Sequence, residues 1–246
     1  MTKSQKSIVI SGGASGIGLA CAHRLALEGF TVHILDMNPE LAQALASLPG
    51  KGHTASRVDV TDANQVEIEI AKIAAFGPIT GLVVSAGIIS QTPLLEISSD
   101  AFAKVLAVNV LGVQNVVAPI ARNMVANSVS GSLVVLSSIA AFNGGGFMGR
   151  GAYSTSKAAL LGLIRSYARE LAPYKIRINN VAPGATETPM TEHLSEEART
   201  KILAQTLGNR FLRSEEVVSV INYLISDESS AINGQTLHAN GGSFFG

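Results

Sequence analysis

Tyr153 and Lys157 stand four residues apart in the run Tyr153-Ser154-Thr155-Ser156-Lys157, downstream of an apolar stretch that ends in Ser137-Ser138. On a helix, positions i and i+4 lie on one face, so the phenol and the ammonium can point into one site. A phenol titrates near 10 in water, too high for acid–base work at neutral pH. A cation about 4 Å away, at an effective dielectric near 20, favours the phenolate by about 4 kcal/mol, or about three pKa units. The spacing therefore predicts a lysine that makes a tyrosine usable as acid or base. Alone, such a pair is often only a solvated helix face, and its weight comes from what precedes it.

The other half lies at the N-terminus. Lys6-Ser7-Ile8-Val9-Ile10 reads as a short buried strand, Ser11-Gly12-Gly13-Ala14-Ser15-Gly16-Ile17-Gly18 follows it, and a helix-patterned run from Leu19 stops at Gly29. A glycine-rich turn between strand and helix lets backbone N–H groups approach a pyrophosphate, and the helix N-terminus adds partial positive charge. The glycines fall at Gly12, Gly16 and Gly18, a wider first gap than GxGxxG, in the strand-before, helix-after context the motif requires. A second strand, Thr31–Leu35, ends at Asp36. This is near the position, about 20 residues on, where a carboxylate accepts hydrogen bonds from an adenosine ribose. It would repel a 2′-phosphate, and Met37-Asn38-Pro39-Glu40 brings no cation. The plainer alternative is an ordinary aspartate at a strand end. With the glycine loop beside it, the expectation is NAD(H) over NADP(H).

Together these motifs resemble the classical short-chain dehydrogenase/reductase family, over about Ser7 to Gly242. The resemblance places the glycine motif at Ser11–Gly18, the adenine contact at Asp59-Val60, and the Asn-Asn-Ala-Gly motif at Val84-Ser85-Ala86-Gly87. It places a helix asparagine at Asn109, the catalytic serine at Ser138, the YxxxK pair at Tyr153 and Lys157, Asn179, and the Pro-Gly motif at Pro183-Gly184 with Thr188 after it. It implies catalytic roles for Asn109, Ser138, Tyr153 and Lys157. The implied cofactor contacts are Gly12, Ala14, Ser15, Ile17, Gly18, Asp36, Asp59, Val60, Ser85, Ala86, Gly87, Pro183, Gly184, Thr186 and Thr188, together with Tyr153 and Lys157. Ser138 would hydrogen-bond the substrate oxygen and Tyr153 would exchange its proton. Lys157 would lower the tyrosine pKa and hold the nicotinamide ribose, and Asn109 would keep a relay water. The plainer alternative for Asn109 is an amide satisfying backbone within a helix.

Three departures stand out. Ser85 replaces an asparagine, Asn240-Gly241-Gly242 stands where Asp-Gly-Gly is usual, and a glycine-rich stretch, Asn143–Gly149, lengthens the gap between Ser138 and Tyr153. That stretch is expected to be flexible and to reshape one wall of the substrate pocket. Ser137 is the competing serine, but it would point to the other face of its strand.

The 246-residue chain is 47% hydrophobic and 15% charged, with formal net charge +0. This suits an extensive α/β core and gives no electrostatic footprint for nucleic acid or an anionic membrane. The single cysteine, Cys21, excludes an intrachain disulfide, and the histidines lack metal-ligand spacing. The polar start is unlike a signal peptide, and no apolar run reaches the ~18 residues of a membrane span, so cytoplasm is the expected location.

Apolar runs at Gly81–Val84 and Leu133–Leu136, then Ile176–Val181 and Gln235–Ala239, alternate with helical segments such as Ser98–Asn127 and Ala152–Ala172. This predicts one α/β domain spanning 1–246. Its core is a Rossmann-type doubly wound parallel sheet of about seven strands with helices on both faces, with ligands at the strands' carboxyl ends. The polar segment 185–213 falls where the family carries a substrate lid. The expected pocket lining, Ile88–Gln91, Ala140–Phe142, the glycines to Met148 and Thr188–Leu194, is mainly apolar. It favours a neutral or hydrophobic secondary alcohol or ketone. One rival is a 3-oxoacyl-(acyl carrier protein) reductase, normally NADPH-dependent, which Arg122, Arg150 and Lys175 keep open. A rival of another class is a non-catalytic NAD-sensing protein. The family resemblance implies a homotetramer, with Phe244 and Phe245 as interface elements.

Overall fold

The computed structural model describes residues 6–146 and 149–246. In chain order the elements are β1 (Ser7–Ser11), α1 (Gly16–Leu27), β2 (Thr31–Asp36), α2 (Leu41–Ser47), β3 (Thr54–Arg57), α3 (Ala63–Phe76) and β4 (Ile79–Val84). Then come α4 (Ser99–Leu106), a π-helical turn (Ala107–Leu111), α5 (Gly112–Ala126), β5 (Gly131–Leu136), α6 (Ala140–Asn143), α7 (Ala152–Leu171) and β6 (Ile176–Pro183). The chain ends with α8 (Pro189–Glu192), α9 (Glu196–Leu203), α10 (Ser214–Ile225) and β7 (Thr236–Ala239).

The strands form one seven-stranded sheet in the order β3-β2-β1-β4-β5-β6-β7, and every pairing is parallel. Buried on both faces, the central strands read as near-continuous apolar runs. Successive side chains then divide between two cores. Val9, Leu82, Leu133 and Ile178 pack with α3, α5 and α7, while Ile8, Ile10, Val83 and Val134 pack with α1 and α10. Each fully buried Val, Leu or Ile contributes about 1.5–3 kcal/mol. Side-chain caps fix helix starts, among them α3, where Asp62 accepts from the Gln65 N–H, and α4, where Ser98 accepts from the Ala101 N–H.

One expectation is corrected here. The continuous helical run Ser99–Ala126 is 28 residues long and apolar enough to cross a membrane by length and composition. Its Val113, Val116, Val117, Ile120 and Met124 side chains are buried in the core beside β4 and β5, which accounts for one apolar face. The run is the helical segment read from the sequence over Ser98–Asn127, with a π turn at Ala107–Leu111 within it.

The strand order reverses between β1 and β4. Both loops that follow these strands therefore open into one crevice at the carboxyl edge of the sheet, where such sheets bind ligands. There the Ser85 and Ala86 N–H groups donate to the Ser11 carbonyl at 2.8 and 3.0 Å, fastening the two loops together.

Candidate active site

A cleft of about 820 Å³ runs along this edge. At one end the glycine loop turns sharply. Gly12 has φ +71°, and a Cβ there would meet the Ala86 nitrogen at 2.4 Å. Gly18 has no room for a Cβ, which would stand 1.9 Å from the Gly12 carbonyl oxygen. The loop is thus packed from behind by helix α1, with its open side toward the cleft. At Ser15, the residue before α1, no side chain caps the helix, and no acidic residue occupies its first turn. The first-turn N–H groups are left for an anion. This bare, close-approach cradle fits a cofactor pyrophosphate.

Asp36 follows at the end of β2. Its carboxylate accepts the Ala14 N–H at 2.9 Å and the Asn38 N–H at 2.9 Å, one on each oxygen. It lines the cleft with half its lone-pair capacity free. Lys157 is the sole cationic side chain among the described lining residues, and it lies at the catalytic end. Strand register adds one relationship the sequence concealed: Arg57 is the β3 partner of Asp36. Its exposed side chain does not line the cleft.

At the other end, Ser138, Tyr153 and Lys157 converge as expected. The Ser138 Oγ accepts the Ala140 N–H at 3.1 Å. Burial pushes the Tyr153 phenol up from its ordinary value, opposed by its hydrogen bond with Ser138. Ser137 also lines the cleft, but its hydroxyl donates to the Lys157 carbonyl at 3.0 Å.

Lys157 is held by the backbone. Its Nζ stands 5.8 Å from the Tyr153 ring centroid and donates to the Leu136 carbonyl at 2.7 Å. Burial brings its pKa down to about 8. The tyrosine is therefore raised by desolvation where a lowering by the lysine was expected, and the hydrogen bond that offsets burial comes from the serine.

The cofactor and catalytic residues expected from sequence line the cleft, with three exceptions. Ala14 and Gly18 are buried behind the glycine loop. Asn109 is fully buried in the π turn. Its Oδ1 accepts the Ile88 N–H at 2.8 Å, and its Nδ2 donates to the Ile88 carbonyl at 2.8 Å and to Ser156 Oγ at 3.0 Å. The side-chain amide holds the loop after β4, the arrangement the plainer alternative describes, and its Oδ1 keeps one lone pair. Asn179 likewise pins the chain before β7, donating to the Ile232 carbonyl and accepting the Gln235 N–H.

Of the expected substrate wall, Ile88, Ile89, Ala140 and Thr188–Thr191 line the cleft, while Ser90, Gln91, Ala141, Phe142 and 192–194 do not. Phe147 and Met148 lie outside the described residues. The described residues on either side of them are tied down. Gly145 and Arg150 form an antiparallel bridge, and Arg150 donates from its backbone to the Ser90 carbonyl and from Nε to the Gln91 carbonyl at 2.8 Å. Ile202, in α9, and Gln205, in the turn after it, also line the cleft from the 185–213 excursion, where the sequence offered no motif to mark them.

A family model described as enoyl-(acyl carrier protein) reductase matches residues 12–243. A 3-oxoacyl-[acyl-carrier-protein] reductase of Thermotoga maritima is 38% identical over 96% of this chain and 97% of its own. Short-chain dehydrogenase reductase 3c of Arabidopsis thaliana is 37% identical over 96% of this chain and 93% of its own. A short-chain type dehydrogenase/reductase from Mycobacterium ulcerans superposes with TM-score 0.91 at 29% identity, covering 99% of this chain and 91% of that one. The cradle at Gly12, the Ser138–Tyr153–Lys157 group and these matches lead to one conclusion: the chain belongs to the short-chain dehydrogenase/reductase family, oxidoreductases that bind a nicotinamide cofactor.

Proposed function

We propose that this protein interconverts a neutral or hydrophobic secondary alcohol and its ketone, with NAD(H) as cofactor. The observation that carries the reading is one cleft with Asp36 at its adenosine end and Ser138, Tyr153 and Lys157 together at the other. When bound, the nicotinamide supplies the hydride acceptor or donor. Ser138, its Oγ already accepting from Ala140, donates its proton to the substrate oxygen. Tyr153 takes the hydroxyl proton during oxidation and returns it during reduction. Lys157 spends one of its three donors on Leu136 and has two for ribose hydroxyls. Ile88, Ile89, Ile139 and Ile202 supply an apolar, uncharged substrate wall. The excursion 185–213 serves as the substrate lid. Turnover of reduced nicotinamide with a panel of ketones tests the reading; no turnover with any of them, alongside tight NADH binding, would support a sensor instead.

A second reading, reduction of a 3-oxoacyl thioester, is favoured by the Thermotoga relative and by Arg57, which is in register with Asp36. Two cations that would serve an acidic carrier are engaged: Arg122 pairs with Glu67 at 2.6 Å and Arg150 holds Gln91. Preference for NADPH and a carrier-linked substrate would select this reading. Assembly into a homotetramer is part of the proposal. Leu94 and Leu95, just before the helical run Ser99–Ala126, and Leu111 within it are exposed, apolar surface suited to a second copy. Sedimentation of a stable monomer would refute it.

A further inference from the structure

Residues 241–244 contact the elements behind both walls of the substrate cleft. Phe244 packs against Phe142 with ring centroids 5.5 Å apart and against His238 at 5.3 Å, and Phe142 and His238 meet edge-on at 4.6 Å. Phe142 belongs to α6, the turn that begins two residues after Ser138 and carries the lining residues Ala140 and Asn143. On the opposite wall, the Leu207 N–H donates to the Gly241 carbonyl at 3.1 Å. Leu207 follows closely on Ile202 and Gln205, which line the cleft from the lid side.

The fastening point of this strap is Asn240. Its side chain is buried, with 7% exposure, and uses both ends of the amide. Nδ2 donates to the Phe244 carbonyl at 2.8 Å and Oδ1 accepts the Gly242 N–H at 2.9 Å. Its backbone lies against Gly184, where a Cβ would stand 2.8 Å from the Asn240 Cα, and Gly184 itself lines the cleft. A carboxylate at this position could accept from Gly242 but would face the Phe244 carbonyl with no proton to donate. The amide is therefore chemically required by the observed tail conformation.

We propose that Asn240 is a positioning residue that sets the width of the substrate cleft by locking residues 241–244 across both walls. The placement of the walls around a substrate rests on the function proposed above. The locking of the tail does not.

The test uses Asn240→Asp and Phe244→Ala in the full chain, with two readouts. In hydrogen exchange, Asn240→Asp should speed exchange at Leu207 and around Phe142 as well as in 241–244. In kinetics, KM for the ketone should rise about tenfold, the scale of one lost hydrogen bond, with kcat and NADH affinity within about twofold. The two substitutions should be non-additive, because they release one strap. Faster exchange confined to 241–244, or released walls with unchanged KM, would overturn the proposal. If the wild type turns over no alcohol or ketone, the proposed function fails, and exchange at Leu207 and Phe142 still decides whether Asn240 locks the tail.

Discussion

Lys157 reaches past Tyr153 to the backbone: its Nζ donates to the Leu136 carbonyl at 2.7 Å and stands 5.8 Å from the tyrosine ring centroid. A charge held this way, 5% exposed and without a carboxylate partner among the described residues, costs stability, and burial brings its pKa to about 8. The folded value lies below the ordinary one of 10.5, so the native state resists protonation, and this cost is relieved as pH rises through that window. At pH 7 it amounts to something on the order of 3 kcal/mol. Lys157→Met should accordingly lose turnover while melting at or above the wild-type temperature, a trade of stability for activity. A variant that is both inactive and several degrees less stable would show that the ammonium is held favourably.

Tyr153→Phe should abolish turnover and leave NADH affinity within a few-fold, because it removes only one hydroxyl from the cleft. In the wild type, alcohol oxidation should rise with pH as the phenol ionises, and ketone reduction should fall. Burial, which raises the phenol, moves that rise to higher pH, and the Ser138 hydrogen bond moves it back. Ser138→Ala should therefore shift the profile upward as well as lower the rate. An unshifted profile would remove Ser138 from the control of Tyr153.

The catalytic face was legible because helix periodicity alone brings Tyr153 and Lys157 together, and the sheet because strands buried on both faces must be apolar. β3 was the weak case. Thr54-Ala55-Ser56-Arg57 is a half-exposed edge strand without an apolar run, and only Asp59-Val60 beyond it suggested its place. Partners made of backbone left no mark in the sequence. The Leu136 carbonyl that takes Lys157 and the Ile88 peptide that pairs with the Asn109 amide could have been any residues. Arg57 was overlooked beside Asp36 because strand pairing, which brings them together, joins positions far apart in the chain.

Cofactor preference should follow Asp36. A charge-assisted hydrogen bond contributes about 1.5–3 kcal/mol, and the same carboxylate repels a 2′-phosphate. NAD should therefore be preferred by at least about a hundredfold in kcat/KM. Asp36→Ala should narrow the gap, and Met37→Arg in that background should narrow it further. Since Asp36 also holds the Ala14 and Asn38 N–H groups, its removal should cost about 1–3 kcal/mol of stability. If Asp36→Ala gains NADPH activity that Arg57→Ala then removes, Arg57 is the latent phosphate partner. Equal use of both cofactors by the wild type would transfer the argument to the acyl-thioester reading.

A second titration lies far from the cleft. His33, 1% exposed on β2, is bonded through Nδ1 to Thr54 Oγ1 at 2.7 Å, while its Nε2 is buried without a partner among the described residues. Burial first, then the neighbouring His53, lowers its pKa to about 4. The unfolded chain takes up the proton near 6.5, so this contribution to stability is complete above that value. It is lost as pH falls toward 4. About 3 kcal/mol should disappear across that window. His33→Gln, which keeps a hydrogen bond to Thr54 but does not titrate, should flatten this part of the Tm–pH curve. Parallel curves for the two proteins would mean that His33 is protonated in the fold.

Gly149 should prove intolerant for a reason specific to Tyr153. It is buried at φ +64°, and a Cβ there would stand 2.3 Å from the ring's Cδ1 and 2.6 Å from Cε1. Even alanine must displace the ring or the backbone, and a left-handed conformation costs an L-residue about 1–2 kcal/mol. The chain cannot give way easily, since Arg150 is tied to Ser90 and Gln91 and the Tyr153 N–H donates to the Arg150 carbonyl at 3.2 Å. The ring should move, and with it the phenol that meets Ser138. Gly149→Ala should lower kcat more than tenfold, a loss of about 1.4 kcal/mol in the transition state or more, and leave NADH affinity nearly unchanged. Gly146→Ala, three residues earlier and with open space around its Cβ position, is the control and should be nearly silent. Equal effects of the two substitutions would trace the loss to the loop as a whole and not to the contact with Tyr153.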